Sequence, residues 1–206
     1  MATLDKFGVP SSAGSERGIL QPKLQYKFRV SFDGFGDGSN SRQLTQSVVS
    51  VERPKINHAS TAVHSYNSVA YAMGKHEWQT IEIVLRDDIQ NSVVNVVGKQ
   101  LQKQMNHFEQ SSPVAGRNYK FTMRIESLDG NNNTAPLEYW DAEGCFLLDV
   151  NYGSRAYDSS ELTLITLTVR ADNYTHHAGG NEVALGGDPF TDDDAGLRGA
   201  PGARVN

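Results

Sequence analysis

Apolar and polar residues alternate strictly through KLQYKFRVSF, with Leu24, Tyr26, Phe28, Val30 and Phe32 in one phase and Gln25, Lys27, Arg29 and Ser31 in the other. A period of two predicts a strand with one buried and one solvated face. The glycines and acids of DGFGDGSN end it as a loop, and LTQSVVSVE predicts a second strand closed by Pro54. Next, TAVHSYNSVAYAMGKHEWQTIEIVLRDD predicts two long strands turning near Gly74, the second setting Ile81, Ile83 and Leu85 against Thr80, Glu82 and Val84. The first of these strands is ambivalent. Val63, Ser65, Asn67, Val69 and Tyr71 fall in one phase and Ala62, His64, Tyr66, Ser68 and Ala70 in the other, so neither face defines a core. A strand of that kind needs support from outside its own domain.

The period then changes. Ile89, Val93, Val96, Val97, Leu101, Met105 and Phe108 recur every three or four positions, which predicts one amphipathic helix over about 88–109, with the aspartates of RDD at its N-terminus. Tyr119, Phe121, Met123 and Ile125 return to a period of two, and EYWDAEGCFLLDVNY and SSELTLITLTVRADNY follow as strands. In the last stretch Leu162 and Leu164 occupy one phase while Ile165, Leu167 and Val169 occupy the other. A strand with one wet face shows apolar residues in one phase only, so either a bulge shifts this one or something covers its second face. Four strands, one helix and about three more strands predict a mainly β, α+β architecture of sandwich or barrel type.

Composition divides the chain into a Ser/Gly-rich arm (1–19), a folded domain (20–177) and a C-terminal tail (178–206). The tail holds seven of the nineteen glycines and five acids against two arginines, a composition that does not supply a core. The net charge is −5, with a sequence pI near 5.6. That balance argues against a surface built to grip nucleic acid. No apolar run is long enough to predict a membrane span, and the first residues carry no pattern of a secretory leader. The single cysteine, Cys145, precludes an intrachain disulfide, and its apolar neighbours predict a buried structural thiol.

Candidate chemistry is thin. His176 and His177 are adjacent, so a strand would point them to opposite faces, and His58, His64, His76 and His107 lack the spacing of a metal motif. DGFGDG lacks the following helix of a dinucleotide site, and Phe35 occupies a ligand position of a calcium loop. No catalytic residue, metal site or cofactor is expected, and the chain reads as a non-enzyme. Trp78 and Trp140 leave open a β-sandwich carbohydrate-binding module that stacks sugars on their rings. A hydrolase would require a cluster around residues such as His64 or Cys145, which the sequence gives no ground to expect.

The order of these pieces resembles the tail tube proteins of contractile-tailed bacteriophages, the tube subunits of myoviruses. The resemblance is carried by the strand after QPKLQYKFRVSF, by LTQSVVSVERPK, by the hairpin through MGKHEWQTIEIVLRDD into a helix, and by GCFLLDVNYGSRAYDSSELTLITLTVRADNY. It covers about residues 20–175 and rests on order and hydrophobicity rather than on invariant residues. It implies a structural subunit of the virion, assembled in the host cytoplasm into six-membered rings. These would stack as a tube that conducts the phage genome into the host, with DNA passing the lumen without specific binding. Tail sheath, baseplate and tail terminator proteins are the implied partners, with no membrane insertion by this chain. A tube of a related contractile injection or secretion system has the same architecture. On this reading Leu4, Phe7, Val9, Ile19 and Leu20 of the arm, and Val63, Tyr66, Val69 and Tyr71 of the hairpin, are expected between subunits. Glu77 and Glu82 are the lumen candidates. Both the N-terminal arm and the tail after Ala178 extend beyond compact members of that family.

Overall fold

The structure is a computed structural model that describes residues 22–38, 41–130, 136–179 and 183–185. Among these residues, ten strands and two α-helices follow in the order β1 (Phe28–Asp33), α1 (Ser41–Ser47), β2 (Val48–Val51), β3 (Ile56–Ser65), β4 (Ser68–Trp78), β5 (Ile81–Arg86), α2 (Ser92–Gln104), β6 (Phe121–Ser127), β7 (Glu138–Asn151), β8 (Leu164–Arg170), β9 (Asn173–Ala178) and β10 (Val183–Leu185). The expected mainly β architecture is what the chain forms.

One long strand organises the body. The first half of β7 pairs with β6 on one side and β9 on the other, and its second half pairs with β8. The strand therefore belongs to two sheets, β10-β9-β7-β6-β1 and β7-β8-β5-β2. It passes from one to the other at Gly144, whose φ of +65° only glycine adopts without strain and whose missing Cβ leaves room for the Asp172 carboxylate. Between the sheets lies one core, built from the buried phases of β1, β5, β6 and β8 together with Phe35, Leu44, Cys145, Tyr174 and the Val93, Val96 and Val97 face of α2.

Several expected boundaries move, each for a local reason. The first strand starts at Phe28, because Lys27 N–H donates to the Leu24 carbonyl in a turn that leaves Leu24 and Tyr26 exposed. LTQSVVSVE divides into the end of α1 and β2. The long helix spans Ser92–Gln104, not 88–109. Asn91 holds a left-handed φ of 57° before it and Met105 is extended after it, so Ile89 and Phe108 lie in solvent. Asp88 does serve the helix start, accepting from Val93 N–H at 3.2 Å. The segment assigned to a C-terminal tail is partly built in, since β9 runs to Ala178 and β10 adds to its edge.

One buried polar residue ties the helix to the sheets. Gln100 is fully buried, accepts from Gly36 N–H at 2.8 Å and donates to the Tyr119 carbonyl at 2.7 Å. Leucine at this position would leave both backbone groups without partners. An unpaired buried polar group costs about 1–3 kcal/mol, so Gln100→Leu is expected to lower stability by at least that much. Chemical denaturation of the two proteins measures it.

Candidate assembly surface

The largest surface feature is the two-stranded arm β3–β4. Every residue of β3 is exposed, and so is every residue of β4 except Trp78 at its base. The chain reverses at Tyr66–Asn67, between the paired Ser65 and Ser68, and not near Gly74. Gly74 lies within β4 at a bulge: two partners on β3, His58 and Ser60, face His76 and Met73, so β4 carries one extra residue there. Close approach requires the glycine, since a Cβ would meet the Ala59 carbonyl oxygen at 3.1 Å.

This register sorts the arm into two unlike faces, because cross-strand partners share a side. On one face β3 supplies Ile56, His58, Ser60, Ala62 and His64, and β4 supplies Trp78, His76, Met73, Tyr71 and Val69. Trp78 is buried against Tyr174, with ring centroids 4.7 Å apart, so this face continues the core outward into solvent. Its outer half shows Val69, Tyr71 and Met73, with Tyr71 75% exposed. The other face carries Asn57, Thr61, Val63, Ser65, Ser68, Ala70, Ala72 and Glu77 and is small or polar. Val63 therefore pairs with Ala70, opposite Val69 and Tyr71, while Tyr66 projects from the tip. The expected single group of hairpin residues is split three ways.

The polar face runs on into the body. Glu77 accepts from Arg170 at 2.6 Å. Arg170 alternates with the buried Val169, so it lies on the outer face of β8 with Thr166 and Thr168. Glu82 is the cross-strand partner of Thr168. The two lumen candidates thus share one continuous outer face, and no lysine occurs in β2, β5, β7 or β8. The second phase of SSELTLITLTVRADNY is answered here: Ile165, Leu167 and Val169 point into the core, while Leu162 and Leu164 lie toward solvent at the end of the strand. Leu4, Phe7, Val9, Ile19 and Leu20 lie outside the described residues.

At the base of the arm, Glu138 gathers four groups. It is buried, and its carboxylate accepts from Lys23 at 2.5 Å, Arg53 at 2.9 Å and Ser127 at 2.9 Å, with His176 Nε2 3.7 Å away. Burial alone would push its pKa up. The hydrogen bonds of Lys23 and Ser127 and the charges of Lys23 and Arg53 outweigh burial and hold it below the ordinary carboxylate value. With the folded pKa depressed, the stabilisation is present above the unfolded value and is lost as pH falls through the folded one. Thermal unfolding followed from neutral to acid pH is expected to show less acid destabilisation in Glu138→Gln than in the parent.

Among the described residues no three His, Cys, Asp or Glu side chains gather as a metal ion would need. Cys145 is buried, and desolvation pushes its thiol up to about 12, which leaves it protonated and inert. The carbohydrate platform fails on geometry. Trp78 is in the core, and Trp140 already stacks on His176, centroids 4.0 Å apart. His177 stacks on Tyr139 instead, so the two adjacent histidines do take opposite faces. The facing pair His58 and His76, 6.1 Å apart, was not visible in the sequence because it depends on the hairpin register.

No protein-family model and no curated protein sequence matches the chain. Among solved structures, a chain in the cryo-EM structure of the tube-terminating cap of the anti-feeding prophage superposes with a TM-score of 0.60 at 15% identity, over 82% of this chain and 98% of that one. A chain of the 6-fold symmetrised baseplate of the anti-feeding prophage gives 0.56 at 12% identity, over 78% and 98%. A chain of the PVC sheath–tube complex in its extended state, from an extracellular contractile injection system, gives 0.52 at 17% identity, over 76% and 92%. At these identities the likeness is one of fold. The chain therefore shares its fold with components of contractile injection systems.

Proposed function

We propose that this chain is a non-enzymatic structural subunit that closes with five identical copies into a ring, the rings stacking into a hollow tube. The observation that carries the reading is the two-faced arm. One face extends the core into solvent with Val69, Tyr71 and Met73, and the other extends a polar surface bearing Glu77 and Glu82. An isolated two-stranded ribbon is marginal in water, so an arm of this length calls for a covering surface. Identical neighbours in a closed ring supply one and remove the exposed edges. In this arrangement Val69 and Tyr71 pack on the adjoining subunit, Tyr66 contacts a copy at the tip, and Glu77 and Glu82, with Val63 on their side of the arm, look into the channel.

The tube belongs to a contractile-tailed phage, where it conducts the genome and sits in the virion with sheath, baseplate and terminator proteins around it. A related contractile injection system is the second reading, favoured by the fold shared with the anti-feeding prophage and PVC chains. On that outer face Glu77 and Glu82 stand with Arg170 and Arg86, and Arg170 is paired with Glu77, so the carboxylates offset the fixed positive charge that phosphate would meet. Negative-stain electron microscopy of the purified protein at rising concentration tests the assembly. Rings or hollow rods are expected, and monomers at every concentration, with or without a baseplate nucleus, would overturn it. Nuclease-protected DNA in particles built on this tube separates the phage reading from the injection-system one.

A further inference from the structure

Among the described residues the sheet path ends at two unpaired strands, β1 and β2, and both line a groove of about 1010 Å³. Leu24, Tyr26 and Val49 in its lining are exposed although large and apolar. Four of its lining residues are basic, Lys23, Lys27, Arg29 and Arg53, against one acid, Glu126. Glu126 is buried, as is Glu138 beneath Lys23 and Arg53, so the charge that the groove turns outward is positive. The groove stands at the Glu138 end of β7. The other end of that strand, up to about 45 Å away along the chain, carries a feature of the opposite kind. There every residue of 152–162 is exposed, the large apolar Tyr157 and Leu162 among them. Asp158 and Glu161 are exposed on the same loop, and its one basic residue, Arg155, is turned toward Asp87 at 3.7 Å.

We propose, resting on the ring reading above, that this groove receives the 152–163 loop of a second copy in the next ring, so that rings stack groove to loop. Charge and polarity select this occupant. Asp158 and Glu161 meet the basic rim, while Tyr157 and Leu162 cover Leu24, Tyr26 and Val49. Placement selects it as well. Groove and loop are different surfaces at the two ends of one strand, so the contact is head-to-tail: each copy that is joined at its groove still offers a free loop, and the contact repeats without closing on itself. In a channel wall the strands run at a tilt from one rim to the other, which puts the two ends of β7 where successive rings meet. The contact is small for a single copy. A ring makes it six times at once, and the linked contacts hold far more strongly than one.

Two full-length variants test it under negative-stain electron microscopy, at a concentration where the parent forms rods. Asp158→Lys with Glu161→Lys reverses the charge of the loop, and Leu24→Asp with Tyr26→Asp puts acids into the groove. All four residues are exposed in the free subunit, so both variants are expected to melt near the parent. Each is expected to give single rings and no rods. Mixing preassembled rings of the two should bring stacking back, at least as paired rings, because the intact loop of one variant meets the intact groove of the other. Rods of parental length from either variant overturn the proposal, as do mixed rings that stay single. Loss of the rings themselves also overturns it, since groove and loop would then join neighbours within a ring. A parent that stays monomeric fails earlier, at the ring reading, and takes this contact with it.

Discussion

Replacing Ile83 with aspartate is expected to leave no cooperatively folded subunit. Ile83 is fully buried at the centre of β5, paired with Val51 of β2 on one side and Leu167 of β8 on the other. The substitution forfeits about 2–3 kcal/mol of apolar burial and puts a carboxylate where the surrounding residues are apolar. An unpaired buried charge adds at least several kcal/mol more. Domains of this size are stable by about 5–15 kcal/mol, so the two effects together consume most or all of the margin. Circular dichroism with thermal denaturation reads the result. A cooperative transition within a few degrees of the parent would show that β5 is not the central strand of its sheet. Glu82→Gln, one residue away on the outer face, is the matching control and should unfold as the parent does.

The second large effect separates assembly from folding. Val69→Asp with Tyr71→Asp places two charges on the outer half of the arm, on the face that continues the core. Both residues are exposed in the free subunit, so the melting temperature should stay within a few degrees of the parent. Rings and tubes should disappear, because desolvating two carboxylates against an apolar neighbour costs more than the contact returns. Val63→Asp, on the opposite face, is the informative comparison. If all three changes act alike, the division of the arm into two unlike faces has no bearing on assembly. If the Val69 and Tyr71 pair leaves tubes intact under electron microscopy, the covering surface lies elsewhere.

What could be read from the sequence was what depends on neighbours along the chain. Ile81, Ile83 and Leu85 announced their strand by strict alternation, and Val93, Val96 and Val97 their helix by a period near 3.6; all six are in the core. Misreadings arose where an individual residue interrupts a pattern. Asn91 in a left-handed conformation cuts the helix short of Ile89, and the Leu24–Lys27 turn detaches two apolar residues from a run of five. Gly74 suggested a turn, because glycine marks turns and close backbone approaches alike; here it is the latter. The ambivalence of the arm was legible as such. Its resolution required the register, since Val63 and Val69 share a phase in a single strand but part company once the chain reverses at Tyr66–Asn67. Glu77 and Glu82 are lumen candidates by alternation of strand faces, and that they share one face follows only from the Glu77–Arg170 and Glu82–Thr168 pairings.

The bulge at Gly74 has a consequence for how this arm can change over evolutionary time. Strict alternation back from Trp78 along the present sequence would put Met73, Tyr71 and Val69 on the side of Glu77, and the bulge returns them to the side of Trp78. Loss of one codon there would remove the bulge, seat a single residue opposite Ala59 and leave both sides of the distal arm and every residue of the core as they are. A single deletion is therefore absorbed at the bulge, whereas one in the regularly paired stretch from Ser68 to Met73 would exchange the sides of the residues beyond it.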